Sequence, residues 1–598
     1  MRRAKNAFLA VSLLTLCTLP ALTAGSCSAA GNASQFTGVT GTTGTDGTGA
    51  ATSTGTSTQS GTPTGSGGQG IGGGLSLPDG GEGGAGGSGL TGDPTTCAEA
   101  AMYKTYIGCE FWPTVVGNVV WSIFDFAAVV ANGGTTVANV TVTQNGATIA
   151  TATVQPNSLA TVYLPWVPSL KGQDSDNCGS AVPLSASVLA TGGAYHLVSS
   201  VPVTVFQFNA LEYKGQGGPP GKDWSSCPGN TTCFSEFQPL GCYSFTNDAS
   251  LLIPSTAMTG NYRITGESGW SLASIGSYFA VTGTADNTMV TVGVAPGGHV
   301  LGGGPVTDTQ GGNSFAFSLN AGDVVEVLGD PNSDLSGSLV HASAPVQVIS
   351  GLPCIDIPNS AAACDHIESS VLPAETLGKH YFVTRPTGPG DLGPTPVPVP
   401  YDVRIFGNVD GTTLTYPGVT PPNAPTTINA GDVVDLGTAN GGQGQIESDF
   451  EIVGSNEFAV GVFQLGASIV DPNAQAPMQE GDPSSSTAVT VEQYRTKYVF
   501  LAPNDYDYSY VDIVEPMTGA MVVLDGQPLS VAPTALSSGY GVARVRLSGG
   551  NNGAHVLTSA LPVGIQVIGY GEYTSYQYPG GLNLKVISLP PPPPPPPM

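Results

Sequence analysis

Charge is what this sequence has least of. Only 10% of its 598 residues are charged, and Lys and Arg together number 16, where an average protein has about 25% charged residues. With 43 Asp and Glu, the formal charge is −27. Nucleic-acid backbones are held by Lys and Arg that displace counterions, so a nucleic-acid partner is excluded. Histidine is scarce too, with six in the chain. Neither a His-Glu-x-x-His helix nor a Gly-x-Ser-x-Gly elbow occurs in the part that folds. Gly215 to Lys222 has the outline of a phosphate loop, but Asp223 follows the lysine, two prolines stiffen the segment and no helix pattern continues it. After the first 25 residues no apolar run approaches the length of a membrane-spanning helix. Sustained 3.6-residue periodicity with caps is also missing. These absences leave an acidic, all-β, non-enzymatic chain.

Glycine and proline are what is abundant, with 84 and 49 residues. Arg2, Arg3 and Lys5 precede an apolar stretch from Phe8 to Leu22, the pattern of an export signal over residues 1–26. Ala24-Gly25-Ser26-Cys27 follows, a site of the bacterial lipoprotein type in which Cys27 is lipidated. Cleavage after Ala24 or Ala30 gives a freely secreted product instead. Residues 27–96 are Gly, Thr and Ser with almost no large apolar side chain, a disordered tether with a mean reach of roughly 45 Å. The expected location is an outer membrane or cell surface through the lipid, or the medium without it.

From Cys97 onward a unit recurs four times. Each opens on a tyrosine and an apolar strand, at Tyr106, Tyr262, Tyr381 and Tyr498. Two alternating strands joined by an Asn/Asp/Gly turn come next. Then comes a strand whose clearest copies, Asn320 to Val325 and Asn429 to Val434, are identical as Asn-Ala-Gly-Asp-Val-Val. A pair of β-branched runs closes the unit. They meet at a serine shortly before a proline, as in Ser199 to Pro202, Ser343 to Pro345 and Ser559 to Pro562, with a degraded copy at Ser455 to Glu457. Proline belongs at the start of a strand or on an edge, so this closing element reads as a hairpin. Six or so short strands per roughly 110–120 residues predict tandem antiparallel β-sandwiches. The period is too long for propeller blades of about 40–50 residues. The expected modules are 97–242 (with a Cys-containing insertion), 243–360, 361–470 and 471–589. Residues 590–598 form a polyproline tail read as inert.

Beyond Cys17 and Cys27, eight cysteines remain, an even number that suits disulfides in an oxidising compartment. Cys354 is expected to pair with Cys364, and Cys97 with Cys109. The pairing among Cys178, Cys227, Cys233 and Cys242 is left open. A zinc site is disfavoured by the spacings. His196, His341 and His555 recur at matching places in the closing element and read as packing residues.

The candidate binding residues lie in three loops: Asp365, His366 and Glu368 after Cys364, Asp505 and Asp507 ahead of a strand, and Tyr573 and Tyr576 in a tyrosine run. These acids read first as structural or solvated groups, with calcium, which takes six to eight oxygens, as the alternative, and the tyrosines read first as packing between modules, with stacking on sugars as the alternative. Asp330-x-Asn332-x-Asp334 has the spacing that opens a calcium loop, with Leu335 where that loop needs Gly. No cofactor other than calcium is expected.

Gly351-Leu352-Pro353-Cys354 through Cys364-Asp365-His366, then Leu372-Pro373, Gly378 and Asp410-Gly411-Thr412-Thr413, resemble the N-terminal domain of the IgG Fc-binding protein family. So do Gly569-Tyr570-Gly571, Tyr573-Thr574-Ser575-Tyr576 and Tyr578 to Leu582. The resemblance covers most of residues 97–584 and is greatest to the bacterial branch, in which the domain follows a signal and a tether. It implies a cell-surface or secreted adhesion protein displaying β-modules to an extracellular protein or glycan, and it supplies no catalytic residues. The alternative is a structural spacer of a matrix or cell envelope.

Overall fold

The computed structural model describes residues 92–175, 181–228, 241–361, 363–389, 396–437, 444–475, 478–549 and 551–597. Cys27, the tether up to residue 91, Cys178 and Cys233 lie outside them. The described residues are nearly all β, as the patterning predicts, and their strands pair antiparallel. Four units of one topology follow each other, each made of two facing four-stranded sheets, with extra strands added at the edges.

In the second unit the outer sheet runs Asn261–Arg263, Leu339–Ala342, Thr288–Gly293, Ser314–Leu319. The inner sheet runs Val324–Gly329, Tyr278–Gly283, Val346–Ile355, Asp365–Ser370. The outer strand Thr288–Gly293 alternates buried and exposed residues, one face in the core and one in water. Inner strands such as Tyr278–Gly283, Phe126–Asn132 and Tyr401–Gly407 are buried at every residue. Their second face is covered by neighbouring units, which is why they read as unbroken apolar runs.

The closing element is no hairpin. Its two runs never pair with each other; the first lies in the outer sheet and the second in the inner one. In the first and last units they form continuous strands, His196–Phe208 and Ala554–Gly571, that cross from sheet to sheet. Proline suits the crossing because the ladder is interrupted there. The opening tyrosine fixes this corner. Tyr262 Oη donates to Val346 O (2.6 Å) and Tyr381 Oη to Phe458 O (2.5 Å), and Tyr498 Oη bonds Val563 O. Each phenol also accepts an N–H from three residues back, at Thr259, Gly378 and Arg495. Of the three histidines of this element, His196 stacks on Trp112 at 4.3 Å, His341 Nδ1 lies 2.8 Å from Asn261 Oδ1, and His555 Nδ1 lies 2.8 Å from Asp525.

The module boundaries also shift. Ala249–Leu251, Asp365–Ser370 and Ser485–Thr487 fall in the following module by sequence, yet each pairs with the inner sheet of the preceding unit. Together with Thr574–Pro579 of the fourth unit, they are the innermost strands. The first packs on the second and fourth, and the third packs on the second and fourth, so the four units close a ring around these axial strands. A period of about 115 residues rules out one blade per repeat, but it does not rule out this propeller-like arrangement of whole sandwiches.

Each ring joint is made by the loop after an opening strand, which docks on the next inner sheet. Gly117 N donates to Glu326 (3.2 Å), Glu267 meets Arg404 (3.7 Å), and Thr387 N and Oγ reach Asp512 (3.0 and 2.5 Å). At the closure Tyr213 N donates to Asp505 (3.1 Å). The polyproline segment is not a free tail. Within it Pro594 lies against Gly293 of the second unit, and just ahead of it Ile587 N and Ser588 N donate to Glu375 O (2.9 and 3.1 Å).

Candidate binding face

The axis is polar. Asp248, which precedes the first axial strand, has no exposed surface, and its carboxylate accepts one backbone N–H from each unit. Ala249 N (2.9 Å) and Gln577 N (3.2 Å) bond Oδ1; Glu368 N (3.0 Å) and Ser485 N (2.9 Å) bond Oδ2, with a longer contact from Ser485 Oγ (3.4 Å). Burial pushes this carboxyl up, and the N–H donors pull it back.

Asp365, His366 and Glu368 belong to the same axial core. All three are fully buried, so they hold the ring together and are not loop contacts for a ligand. Asp365 Oδ2 accepts from Thr574 Oγ (2.8 Å) and Ser575 N (3.2 Å) of the fourth unit. Glu368 accepts from Gln207 Nε2 (3.0 Å) and Asn209 Nδ2 (3.2 Å) of the first. His366 Nε2 lies 3.2 Å from Asn209 Nδ2. Tyr576 is buried as well, edge-on to Tyr506 with its hydroxyl 3.1 Å from Ser509 Oγ. The Asp330-x-Asn332-x-Asp334 carboxylates are otherwise engaged, Asp330 by Asn332 N (2.8 Å) and Asp334 by Arg404 (2.5 Å).

The three loops singled out by sequence nevertheless meet, at one end of the axis. Cys354 and Cys364 are disulfide-bonded, as are Cys97 with Cys109 and Cys227 with Cys242. Next to the Cys354–Cys364 loop, Gly466 N donates to Ile357 O (2.8 Å), and Asp482 N donates to Ser575 Oγ (3.0 Å). Gly481 N reaches Gly571 O (2.9 Å) and Tyr573 N reaches Gln479 O (3.1 Å). Asp507 N donates to Tyr570 O (3.0 Å), while its carboxylate takes Lys214 Nζ at 2.6 Å and the Tyr213 hydroxyl. Tyr213 and Lys214 come from the insertion after the first unit, and Tyr243 stacks on Tyr213 at 6.0 Å.

The outer rim is acidic and aromatic. Tyr243, Glu480, Glu572 and Tyr573 are half-buried, Asp507 is exposed, and Met478 is 67% exposed. Glu480 is pushed up to about 8, first by burial and then by the carboxylates of Asp507 and Glu572. Glu212, beneath the same loops, is also pushed up to about 8 by burial and by Asp125. Tyr573 holds φ at +50°, an uncommon conformation for a bulky residue. Asp248 is the residue that sequence reasoning missed. The available signal was an acid just ahead of a small, Ser-containing segment, shared by Asn247-Asp248-Ala249-Ser250 and Asp482-Pro483-Ser484-Ser485.

A disulfide-bonded β-scaffold with convergent loops at one end is a protein of oxidising compartments outside the cytosol. Among the described residues no helix is long and apolar enough to cross a membrane. The family model described as IgGFc binding protein matches residues 248–569, from the axial aspartate into the last crossing strand and over half of the chain. The chain belongs to that family. Human IgGFc-binding protein is 30% identical over 209 residues, covering 33% of this chain and 3% of the human protein. The chain thus matches a small part of that relative's length. No solved structure matches it.

Proposed function

We propose that the protein is an exported, non-enzymatic binding protein that uses the loop end of its ring to hold an extracellular protein. The observation carrying this reading is the convergence of loops from all four units on one face. Its exposed Met478, half-buried Tyr243 and Tyr573, and surrounding carboxylates offer an apolar-aromatic centre in an acidic rim. Aromatic anchors within a polar rim are how protein interfaces concentrate affinity, and surplus carboxylate favours a basic partner surface. The export signal, Cys27 and the Gly/Thr tether fit the bacterial branch of the family, and a lipidated Cys27 anchors the ring at the cell surface as an adhesin.

The test uses immobilised IgG, its Fc fragment and a glycan array as probes, with the full chain and the variants Tyr573→Ala, Glu572→Gln and Met478→Ala. We expect binding to a protein probe to fall at least tenfold in the variants while the melting temperature holds. Binding confined to glycans replaces the partner class. Attachment indifferent to all three variants moves the function to the spacer reading.

A further inference from the structure

The joint between the second and third units differs chemically from its neighbours. At the first joint a loop N–H, from Gly117, meets Glu326; at the third, the N–H and hydroxyl of Thr387 meet Asp512. Both place donors on a carboxylate. At the second joint the docking loop instead brings Glu267 to Asp402 and Asp435, and one carboxylate oxygen from each lies within 4.8 Å of the others. Asp435 occupies the position of Glu326 in the duplicated Asn-Ala-Gly-Asp-Val-Val segment. Glu267 is 3% exposed and Asp402 not at all, and Glu267 Oε1 and Asp402 Oδ2 have no hydrogen-bond partner. Arg404 does not relieve this. Its Nε and one Nη are taken by Asp435 and Asp334 at 2.5 Å each, its other Nη bonds Gly266 O, and Glu267 stays 3.7 Å away. With Asp334, four carboxylates surround one guanidinium, whose contact with Glu267 is the longest of its three ion pairs.

We propose that Glu267, Asp402 and Asp435 bind a calcium ion across this joint, beyond the binding role argued above. The donor set is oxygen only, without His or Cys, which selects a hard cation over zinc or copper. Carboxylate oxygens at this mutual spacing suit the 2.3–2.6 Å bonds of calcium, with water completing its six to eight ligands. The ion stands where the neighbouring joints use N–H and O–H donors, and it fastens the second unit to the third.

The experiment compares the melting temperature of the full chain in chelator and in millimolar calcium, alongside Asp402→Asn and Glu267→Gln. Calcium raises the melting temperature of the native chain by several degrees and has no effect on either variant. Both variants, relieved of carboxylate repulsion, melt in chelator no lower than the chelated native chain. Calorimetric titration with calcium gives one site in the native chain and none in Asp402→Asn. A native chain indifferent to calcium, whose stability falls instead as pH rises through neutrality, means that Glu267 and Asp402 share a proton, and the proposal fails. A calcium response that survives both substitutions also overturns it, because the ion then sits elsewhere.

Discussion

At the scale of the residue, Asp248 concentrates what holds the ring. A buried donor left without an acceptor costs about 1–3 kcal/mol, and this carboxylate serves four. Asp248→Asn keeps the volume but turns an NH2 group toward two of those N–H donors. We expect it to lower unfolding free energy by at least about 3 kcal/mol, read as a drop in the urea midpoint. Tyr573→Ala, on the rim, should leave the midpoint within about 0.5 kcal/mol of native stability. None of this was visible at Asp248 in the sequence, where one acid beside small residues looks like a linker. Asp365, His366 and Glu368 follow a cysteine, and charge in an apparent loop reads as a ligand contact. Burial among Gln207, Asn209 and Thr574, residues distant in sequence, is what assigns them to the interior.

Elements were legible in proportion to their length and pattern. Alternating outer strands such as Thr288–Gly293 and the duplicated Asn-Ala-Gly-Asp-Val-Val strands showed themselves by periodicity and identity. Three-residue strands, Ala249–Leu251 and Ser485–Thr487, carry no period, and their partners lie on both sides of a unit boundary, so they were absorbed into the next module. The closing element reads as a hairpin for a related reason: a proline between two β-branched runs marks an interruption of pairing, and sequence does not say whether the chain reverses or changes sheet. The opening tyrosines separate these cases, because their hydroxyls bind the second run at its first residues. Tyr381→Phe removes that bond and strands Phe458 O and Gly378 N–H in the core. We expect a loss of about 1–3 kcal/mol with unchanged far-UV dichroism, and a similar loss for Tyr262→Phe and Tyr498→Phe in denaturant titrations.

For the whole molecule, ring closure buries acids that tandem beads would leave in water. Glu212 and Glu480, both raised to about 8, are better accommodated protonated in the folded state. Their contribution is complete below the ordinary glutamate range and is lost as pH rises through 8. The urea midpoint should therefore fall between pH 5 and pH 9, and Glu212→Gln should flatten the decline. A midpoint that rises over this range contradicts the assignment. The fold class and the count of units could be read from the sequence, but their closure around an axis depends on contacts between residues hundreds of positions apart.

The axial aspartate also sets a number. A carboxylate has two oxygens and about four lone-pair directions, and here every unit sends one backbone N–H to them, with Ser485 Oγ as a longer fifth contact. A chain duplicated to five units would bring a strand with no acceptor left, and a chain cut to three would leave an acceptor empty and two sheet edges open to pairing with other molecules. The axial carboxylate thus matches a ring of four, with one backbone donor arriving from each unit.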